Sequence, residues 1–166
     1  MRNIFKIATM SILIAGTMCS TSCNSNDGIL EEIEDAQPET AKWQEPYHTI
    51  GASVDQVKSY MAVSMKTYSL QREITSSCIQ LSYSNGKGQE GILYSFGLNN
   101  GALFSVIDTE SMARKESITA YLRQQYSLIA ESDGQVMFTN KDKDIIVNTE
   151  SVSDEYFNVC YSFVSK

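Results

Sequence analysis

The chain has 166 residues and a formal net charge of −7. Phosphate backbones and anionic lipid headgroups repel an acidic protein, so this charge argues against nucleic acid as a partner. The length suits one folded domain of ordinary size together with a leader and a linker.

The first 22 residues have the composition of a secretory signal peptide. Arg2 and Lys6 make a positive start, and residues 7–18 are mostly apolar. A membrane-spanning helix needs about 20 apolar residues, so this run is too short to span. We therefore predict a signal peptide over residues 1–22. Its removal leaves 11 basic and 20 acidic side chains, a net charge of −9.

Three small residues, Ser20, Thr21 and Ser22, lead into Cys23. This stretch resembles the lipobox of bacterial lipoproteins, whose cysteine becomes the lipidated first residue of the mature protein. The resemblance implies acyl chains on Cys23, which would hold the protein on a membrane without a spanning helix. The location it implies is the cell envelope, on the outer membrane, with the periplasmic and surface faces both open. Ordinary signal cleavage nearby is the alternative.

Residues 23–42 follow as an acidic segment with one proline and no aromatic side chain. Such a segment cannot bury enough apolar surface to fold, so we predict a disordered tether behind the lipidated cysteine. Residues 43–166 are then predicted to form a single domain.

Two segments of this domain have helical periodicity. Ser53 and Gln56 have the spacing of a capping box, and the apolar residues after Ser53 fall on one helical face. The second helical pattern runs over residues 111–130. Six strands are predicted from alternating apolar residues and turn signals: 74–83, 92–97, 102–109, 135–140, 144–149 and 155–164.

The predicted order is helix, three strands, helix, three strands. Strands joined by short turns pair antiparallel, so the predicted fold is α+β. It consists of two helix–three-strand units that form one antiparallel sheet, with both helices packed on one face. The two halves also echo each other: Ser53-Val-Asp-Gln-Val and Tyr68-Ser-Leu in the first resemble Ser117-Ile-Thr-Ala-Tyr and Tyr126-Ser-Leu in the second. This echo raises the hypothesis of an internal repeat.

The segment Ile50-Gly-Ala-Ser-Val-Asp-Gln-Val57 resembles the G-x-[ST]-x-x-Q-V helix start of small envelope lipoproteins of the SmpA/OmlA and β-lactamase-inhibitor-like group. Those domains place short helices before an antiparallel sheet. Trp43 and Pro46 before the cap, with the paired helix-and-meander pattern, also resemble small uncharacterised lipoproteins of Bacteroidetes. The resemblance implies a non-catalytic domain.

Two loop motifs are compatible with ligands but favour turns. Residues 86–91 read G-x-G-x-x-G, but a strand follows them, whereas a dinucleotide site requires a helix there. Asn140, Asp142 and Asp144 alternate as in a calcium loop, but Ile145 stands where the loop requires glycine. No cofactor and no metal site is predicted.

The sole histidine and the two cysteines of the domain carry weaker signals. His48 is interpreted as a surface or packing residue, since no nucleophile motif lies beside it. A disulfide between Cys78 and Cys160 is left open, because an exported protein meets an oxidising compartment. Two separate reduced cysteines are the alternative.

The domain is rich in tyrosine, and exposed aromatic side chains can stack on sugars or anchor protein partners. Core packing is the other interpretation of these residues. The candidate binding residues are Trp43, Tyr47, Tyr68, Tyr126 and Tyr156.

These features predict a membrane-anchored envelope lipoprotein whose domain binds a partner protein or a glycan without catalysis. One alternative is a carboxylate-dependent hydrolase that uses Glu110 or Glu116, which requires a pocket of paired acids with raised pKa values. The other alternative is a structural component of envelope assembly.

Overall fold

A computed structural model of the chain describes residues 42–164. The predicted signal peptide, the predicted lipidation site at Cys23 and all of the predicted tether except its last residue lie outside this range. Among the described residues, no helix has the length and apolar character needed to span a membrane.

Two helices and eight strands make up the described part of the chain. The helices are α1 (Val54–Ser64) and α2 (Lys115–Gln125), and a short 3-10 turn, Met112–Arg114, precedes α2. The strands are β1 (Ser69–Thr75), β2 (Ile79–Ser84), β3 (Gly91–Phe96), β4 (Leu103–Ser111), β5 (Ser127–Ser132), β6 (Gln135–Thr139), β7 (Ile145–Ser151) and β8 (Tyr156–Phe163).

Helix α1 begins where the sequence provides its cap. The Ser53 hydroxyl accepts a hydrogen bond from the Gln56 amide at 3.3 Å, and the Gln56 side-chain oxygen accepts one from the Ser53 amide at 2.8 Å. This confirms the predicted capping box, which satisfies two backbone donors at the helix start. Val57 and Met61, one turn apart, are the buried residues of this helix.

All eight strands belong to one antiparallel sheet, in the order β1-β2-β3-β4-β8-β7-β6-β5. Each helix is followed by a four-strand meander, and the two meanders join where β4 pairs with β8. The outermost strands are therefore β1 and β5, the first strand after each helix.

The predicted fold class is wrong, because the protein is mostly an eight-stranded sheet with two short helices. It does not consist of two helix–three-strand units with both helices on one face. The predicted strand 74–83 is divided by a turn, since β1 ends at Thr75 and β2 begins at Ile79. The predicted helix 111–130 is too long, because α2 ends at Gln125 and β5 follows.

The two missed strands share one physical cause. Every residue of β5 is exposed, and every residue of β1 except Ile74 is exposed. An edge strand with no buried face has no need for alternating apolar residues, so its sequence lacks the period-2 signal. Leu128 and Ile129 in β5 instead continued the apolar spacing of the preceding helix.

The core is formed by alternate residues of the inner strands and by the buried residues of both helices. Its largest members are aromatic, among them Tyr94, Phe138, Phe157 and Tyr161. Two carboxyl groups, Asp108 and Glu110, occupy inward positions of β4 beside this apolar cluster. Buried carboxyl groups are costly unless they are paired or protonated, so these two residues mark a candidate functional region.

Candidate functional site

Residues 42–49, which we call the arm, precede α1 and have no regular secondary structure. Pro46 is buried, and Trp43 and Tyr47 are half-buried against the hydrophobic core. Proline and aromatic side chains let a segment without secondary structure bury apolar surface. The arm is therefore held by its side chains.

The carboxylate of Glu45 is the polar centre of the arm. Its Oε1 atom accepts hydrogen bonds from the Tyr126 hydroxyl at 2.6 Å and from the Tyr161 hydroxyl at 3.0 Å. Its Oε2 atom accepts one from the Tyr121 hydroxyl at 3.3 Å. These partners lie in α2, immediately after α2 and in β8, so one side chain of the arm contacts three separate parts of the second half of the domain.

His48 lies beside this carboxylate and stacks on Tyr161, with ring centroids 4.8 Å apart and planes inclined by 21°. Its Nδ1 atom lies 2.7 Å from the Pro46 carbonyl oxygen, which can only accept, so Nδ1 carries a proton. Its Nε2 atom lies 3.0 Å from the Tyr126 hydroxyl. His48 is thus a packed and hydrogen-bonded residue.

The tyrosines of this network remain protonated. Burial, followed by the charge of Glu45, raises the pKa of Tyr161 well above its usual value. Burial and the hydrogen bond to Glu45 likewise raise the pKa of Tyr126. Because a phenol with a raised pKa stays a proton donor at neutral pH, these groups hold the Glu45 carboxylate and do not act as bases.

A second polar group lies where the arm meets β4. The Trp43 indole N–H donates to Asp108 Oδ2 at 2.9 Å. Two residues further along the same face, Glu110 Oε2 accepts from Arg114 at 2.7 Å. The other oxygens, Asp108 Oδ1 and Glu110 Oε1, are buried and have no hydrogen-bond partner among the described residues.

Both of these carboxyl groups have raised pKa values. Burial is the main cause at Asp108, and the charge of Glu110 adds to it. Burial also raises the pKa of Glu110 to about 7, against the opposing charge of Arg114. Glu110 therefore exchanges its proton near neutral pH, and Asp108 keeps its proton to a higher pH than an aspartic acid in water does.

Two clefts flank the first residues of the arm. One, which we call the tyrosine cleft, has a volume of about 620 Å³ and is lined mainly by the arm with Tyr60 and Tyr121. The other, which we call the lysine cleft, has a volume of about 590 Å³. Its lining includes Lys42, Trp43, Met65, Lys66, Tyr68, Lys87, Glu110 and Arg114. Both volumes are in the range of sites for small ligands.

The candidate binding residues are only partly brought together. Trp43 and Tyr47 line the tyrosine cleft, and Tyr126 lies beneath the arm at Glu45. Tyr68 lines the lysine cleft with Trp43. Tyr156 lies apart from both clefts, next to Gly88 in the β2–β3 loop. All five side chains are half-buried.

The two cysteines of the domain are free thiols. Cys78 lies in the turn before β2, and Cys160 lies in β8, with β3 and β4 between those strands. Three strand spacings amount to about 14 Å, beyond the roughly 7 Å between Cα atoms that a disulfide allows. Burial raises the pKa of Cys160 to about 12, so its thiol is a poor nucleophile at neutral pH.

The two loop motifs are turns, as the sequence favours. Residues 86–91 connect the antiparallel strands β2 and β3, which confirms the hairpin. The Asn140 side-chain oxygen accepts the amides of Asp144 and Ile145, each at 3.1 Å, and so closes the turn before β7. Within residues 42–164, no group of three or more His, Cys, Asp or Glu side chains is placed to hold a metal ion.

Sequence reasoning singled out Glu110 but missed Glu45 and Asp108. Asp108 had a usable signal, since residues 106, 108 and 110 alternate on one face of a strand that begins with apolar residues. Glu45 had none, because its three partners are 76 to 116 positions away in the sequence. Comparison with protein-family models, curated proteins and solved structures finds no match for this chain.

Proposed function

We propose that this protein is an envelope lipoprotein, anchored through Cys23, whose sheet domain binds a glycan without catalysing a reaction. The observation that carries the proposal is the aromatic lining of the tyrosine cleft. Trp43, Tyr47, Tyr60 and Tyr121 line an open cleft together with the polar side chains of Gln44, Glu45 and His48. A sugar presents apolar ring faces, on which aromatic rings can stack, and hydroxyl groups, which bind to hydrogen-bonding side chains.

The partner protein that the sequence also allows has less support. The aromatic side chains are half-buried and line clefts, whereas protein partners are typically anchored by aromatic residues within a broad buried patch. The exposed apolar residues, such as Val63, Phe104 and Val152, are scattered over different elements. Scattered exposed apolar residues are normal on a protein surface.

A carboxylate-dependent hydrolase is the second candidate, because Asp108 and Glu110 are paired acids with raised pKa values. Glu116, the other acid considered, is exposed on α2. The side chain of Glu110 is 1% exposed, and its unpartnered oxygen is buried. A substrate cannot reach this oxygen without displacing neighbouring side chains, so binding without catalysis remains the proposal.

The binding proposal is tested with the full chain carrying Cys23→Ser, which removes the acylation site. A glycan array identifies the sugar, and quenching of Trp43, the single tryptophan, gives the affinity. We expect Tyr47→Ala to weaken binding by about tenfold or more, since it removes one aromatic wall of the cleft. Tyr156→Ala removes a tyrosine that is also half-buried but lies outside the cleft, and we expect it to leave the affinity unchanged.

A chain that binds no glycan on the array would contradict the binding proposal. Turnover of a bound glycan that Glu110→Gln abolishes would favour the hydrolase instead.

Anchoring is tested separately by mass spectrometry of the mature N-terminus and by cell fractionation. We expect acyl chains on Cys23 and a shift of Cys23→Ser from the membrane to the soluble fraction. Cys19, four positions before Cys23, is the other cysteine of the leader, so Cys19→Ser is the matched control and should stay with the membrane. An unacylated mature N-terminus would exclude the lipoprotein.

A further inference from the structure

We propose that the lysine cleft binds the anionic group of an acidic saccharide, one that carries carboxylate or phosphate groups. This inference rests on the proposed glycan-binding function and names the chemical class of the glycan. It begins from an unequal distribution of charge, because a chain with net charge −7 gathers Lys42, Lys66 and Lys87 around one cleft.

The three lysines have charge available for a ligand. Two other basic side chains of the domain are engaged with acids: Lys58 with Glu73 at 2.8 Å, and Arg123 with Glu131 at 2.7 Å. Lys42, Lys66 and Lys87 are exposed and form no ion pair with any residue in 42–164. Glu110 is the one acidic side chain among the described residues that line the cleft, and it is paired with Arg114. The lysines therefore set the charge of the cleft.

The walls of the cleft indicate a sugar in preference to a bare ion. Two aromatic residues line it: Trp43, which belongs to the arm, and Tyr68, which follows α1 in the chain. Met65 adds a buried apolar surface. An inorganic anion would use only the lysines, whereas a saccharide would also use the aromatic rings. A membrane surface fits less well, because a flat layer of headgroups cannot enter a cleft of about 590 Å³.

The loop that carries Lys87 is held in a defined conformation. The Lys87 amide donates to Asn85 Oδ1 at 2.8 Å, and the Asn85 side-chain amide donates to Glu90 Oε2 at 2.7 Å. Gly86 and Gly88 on either side have positive φ angles of 76° and 59°. The backbone position of Lys87 is thus set by its loop, so the backbone does not have to become ordered when an anion binds.

The test uses the full chain carrying Cys23→Ser and follows Trp43 fluorescence, because Trp43 lines the lysine cleft. The probes are trigalacturonate, its neutral methyl ester, mannose 6-phosphate, inorganic phosphate and phosphatidylglycerol vesicles. We expect trigalacturonate or mannose 6-phosphate to bind, and the double variant Lys66→Gln/Lys87→Gln to weaken that binding by about tenfold or more. Lys141→Gln removes an exposed lysine in the β6–β7 turn and should leave the affinity unchanged.

Several outcomes would overturn the inference while leaving glycan binding intact. One is that trigalacturonate and its methyl ester bind with equal affinity. Another is that the double variant binds the acidic sugars as tightly as the parent does. Binding of inorganic phosphate as tight as that of either acidic sugar would reduce the site to one for a free anion. Binding of vesicles, and not of the acidic sugars, that depends on the two lysines would make the cleft a lipid site. No binding of any saccharide, neutral or acidic, would instead remove the proposed function itself.

Discussion

Because of Glu110, we expect the stability of the fold to depend on pH. It lies on β4, almost without exposure, and its pKa is raised from its ordinary value of 4.5 to about 7 because burial penalises its charged form. In the folded protein this residue therefore binds a proton that it would release in the unfolded chain between these two pH values. By linkage, its contribution to stability is complete below about pH 4.5 and is lost as the pH rises through about 7.

We predict that the free energy of unfolding falls between pH 5 and pH 8, and that Glu110→Gln reduces this fall. A shift of this size corresponds to about 3 kcal/mol across the window, so the difference between the two proteins is measurable. Urea unfolding at four or more pH values provides the measurement. Glu116→Gln, an exposed acid on the following helix, is the matched control and should keep the slope of the parent. Equal slopes for all three proteins would show that Glu110 is charged throughout this range.

Single residues also show what sequence reasoning can find. The capping box at Ser53 was predictable because both of its partners lie within four positions of each other. The partners of Glu45 and the indole bond from Trp43 to Asp108 connect residues 65 to 116 positions apart. Local patterns cannot show contacts of this kind, so the arm was predicted only as a set of aromatic residues before a helix.

At the scale of elements, the inner strands were predictable and the edges were not. Strands β3, β6 and β7 lie within two positions of their predicted ends, because burial on one face enforces alternating apolar residues. Strands β1 and β5 are exposed, and their ladders contain irregularities between Leu70 and Arg72 and between Leu128 and Ala130. Bulges in edge strands twist the free edge and oppose pairing with another sheet. The exposed residues and irregular ladders of the edge strands thus also remove the alternating pattern by which sequence analysis recognises a strand.

The two halves follow the same plan at this scale. In each, a helix with two buried residues one turn apart is followed by a tyrosine and then by an exposed edge strand. Tyr68 lines the cleft that contains Glu110, and Tyr126 donates to Glu45. The internal repeat suggested by Tyr68-Ser-Leu and Tyr126-Ser-Leu stays a hypothesis, with the equivalent positions of these two tyrosines in its favour.

The β2–β3 loop offers a prediction about element geometry. Gly88 and Gly101 have nearly equal φ angles of 59° and 61°, but a Cβ atom at Gly88 would collide with the Tyr156 hydroxyl, whereas one at Gly101 would meet nothing within 4 Å. We predict that Gly101→Ala costs about 1 kcal/mol through its backbone conformation and that Gly88→Ala costs more. Chemical denaturation gives both values. Adding Tyr156→Phe to Gly88→Ala should recover part of the excess, and equal losses for the two alanine variants would contradict the explanation.

At the scale of the molecule, the arm connects the predicted tether to both halves of the sheet. Trp43 binds β4 of the first meander through Asp108, and Glu45 binds Tyr161 in β8 of the second. Strands β4 and β8 also pair directly in the middle of the sheet. A molecule joined twice across its centre should unfold as one cooperative unit, and its N-terminal arm should unfold with it.

We therefore predict a single unfolding transition in which the arm and the sheet are lost together. Fluorescence of Trp43, the sole tryptophan, reports the arm, and far-UV circular dichroism reports the sheet, so the two urea curves should have the same midpoint. Glu45→Gln places an amide where three tyrosine hydroxyls donate to a carboxylate. It should lower the free energy of unfolding by about 1–3 kcal/mol and therefore lower both urea midpoints together. Glu116→Gln should move neither. An arm that detaches first would give a fluorescence transition at lower urea than the dichroism, and Glu45→Gln would then shift the fluorescence curve alone.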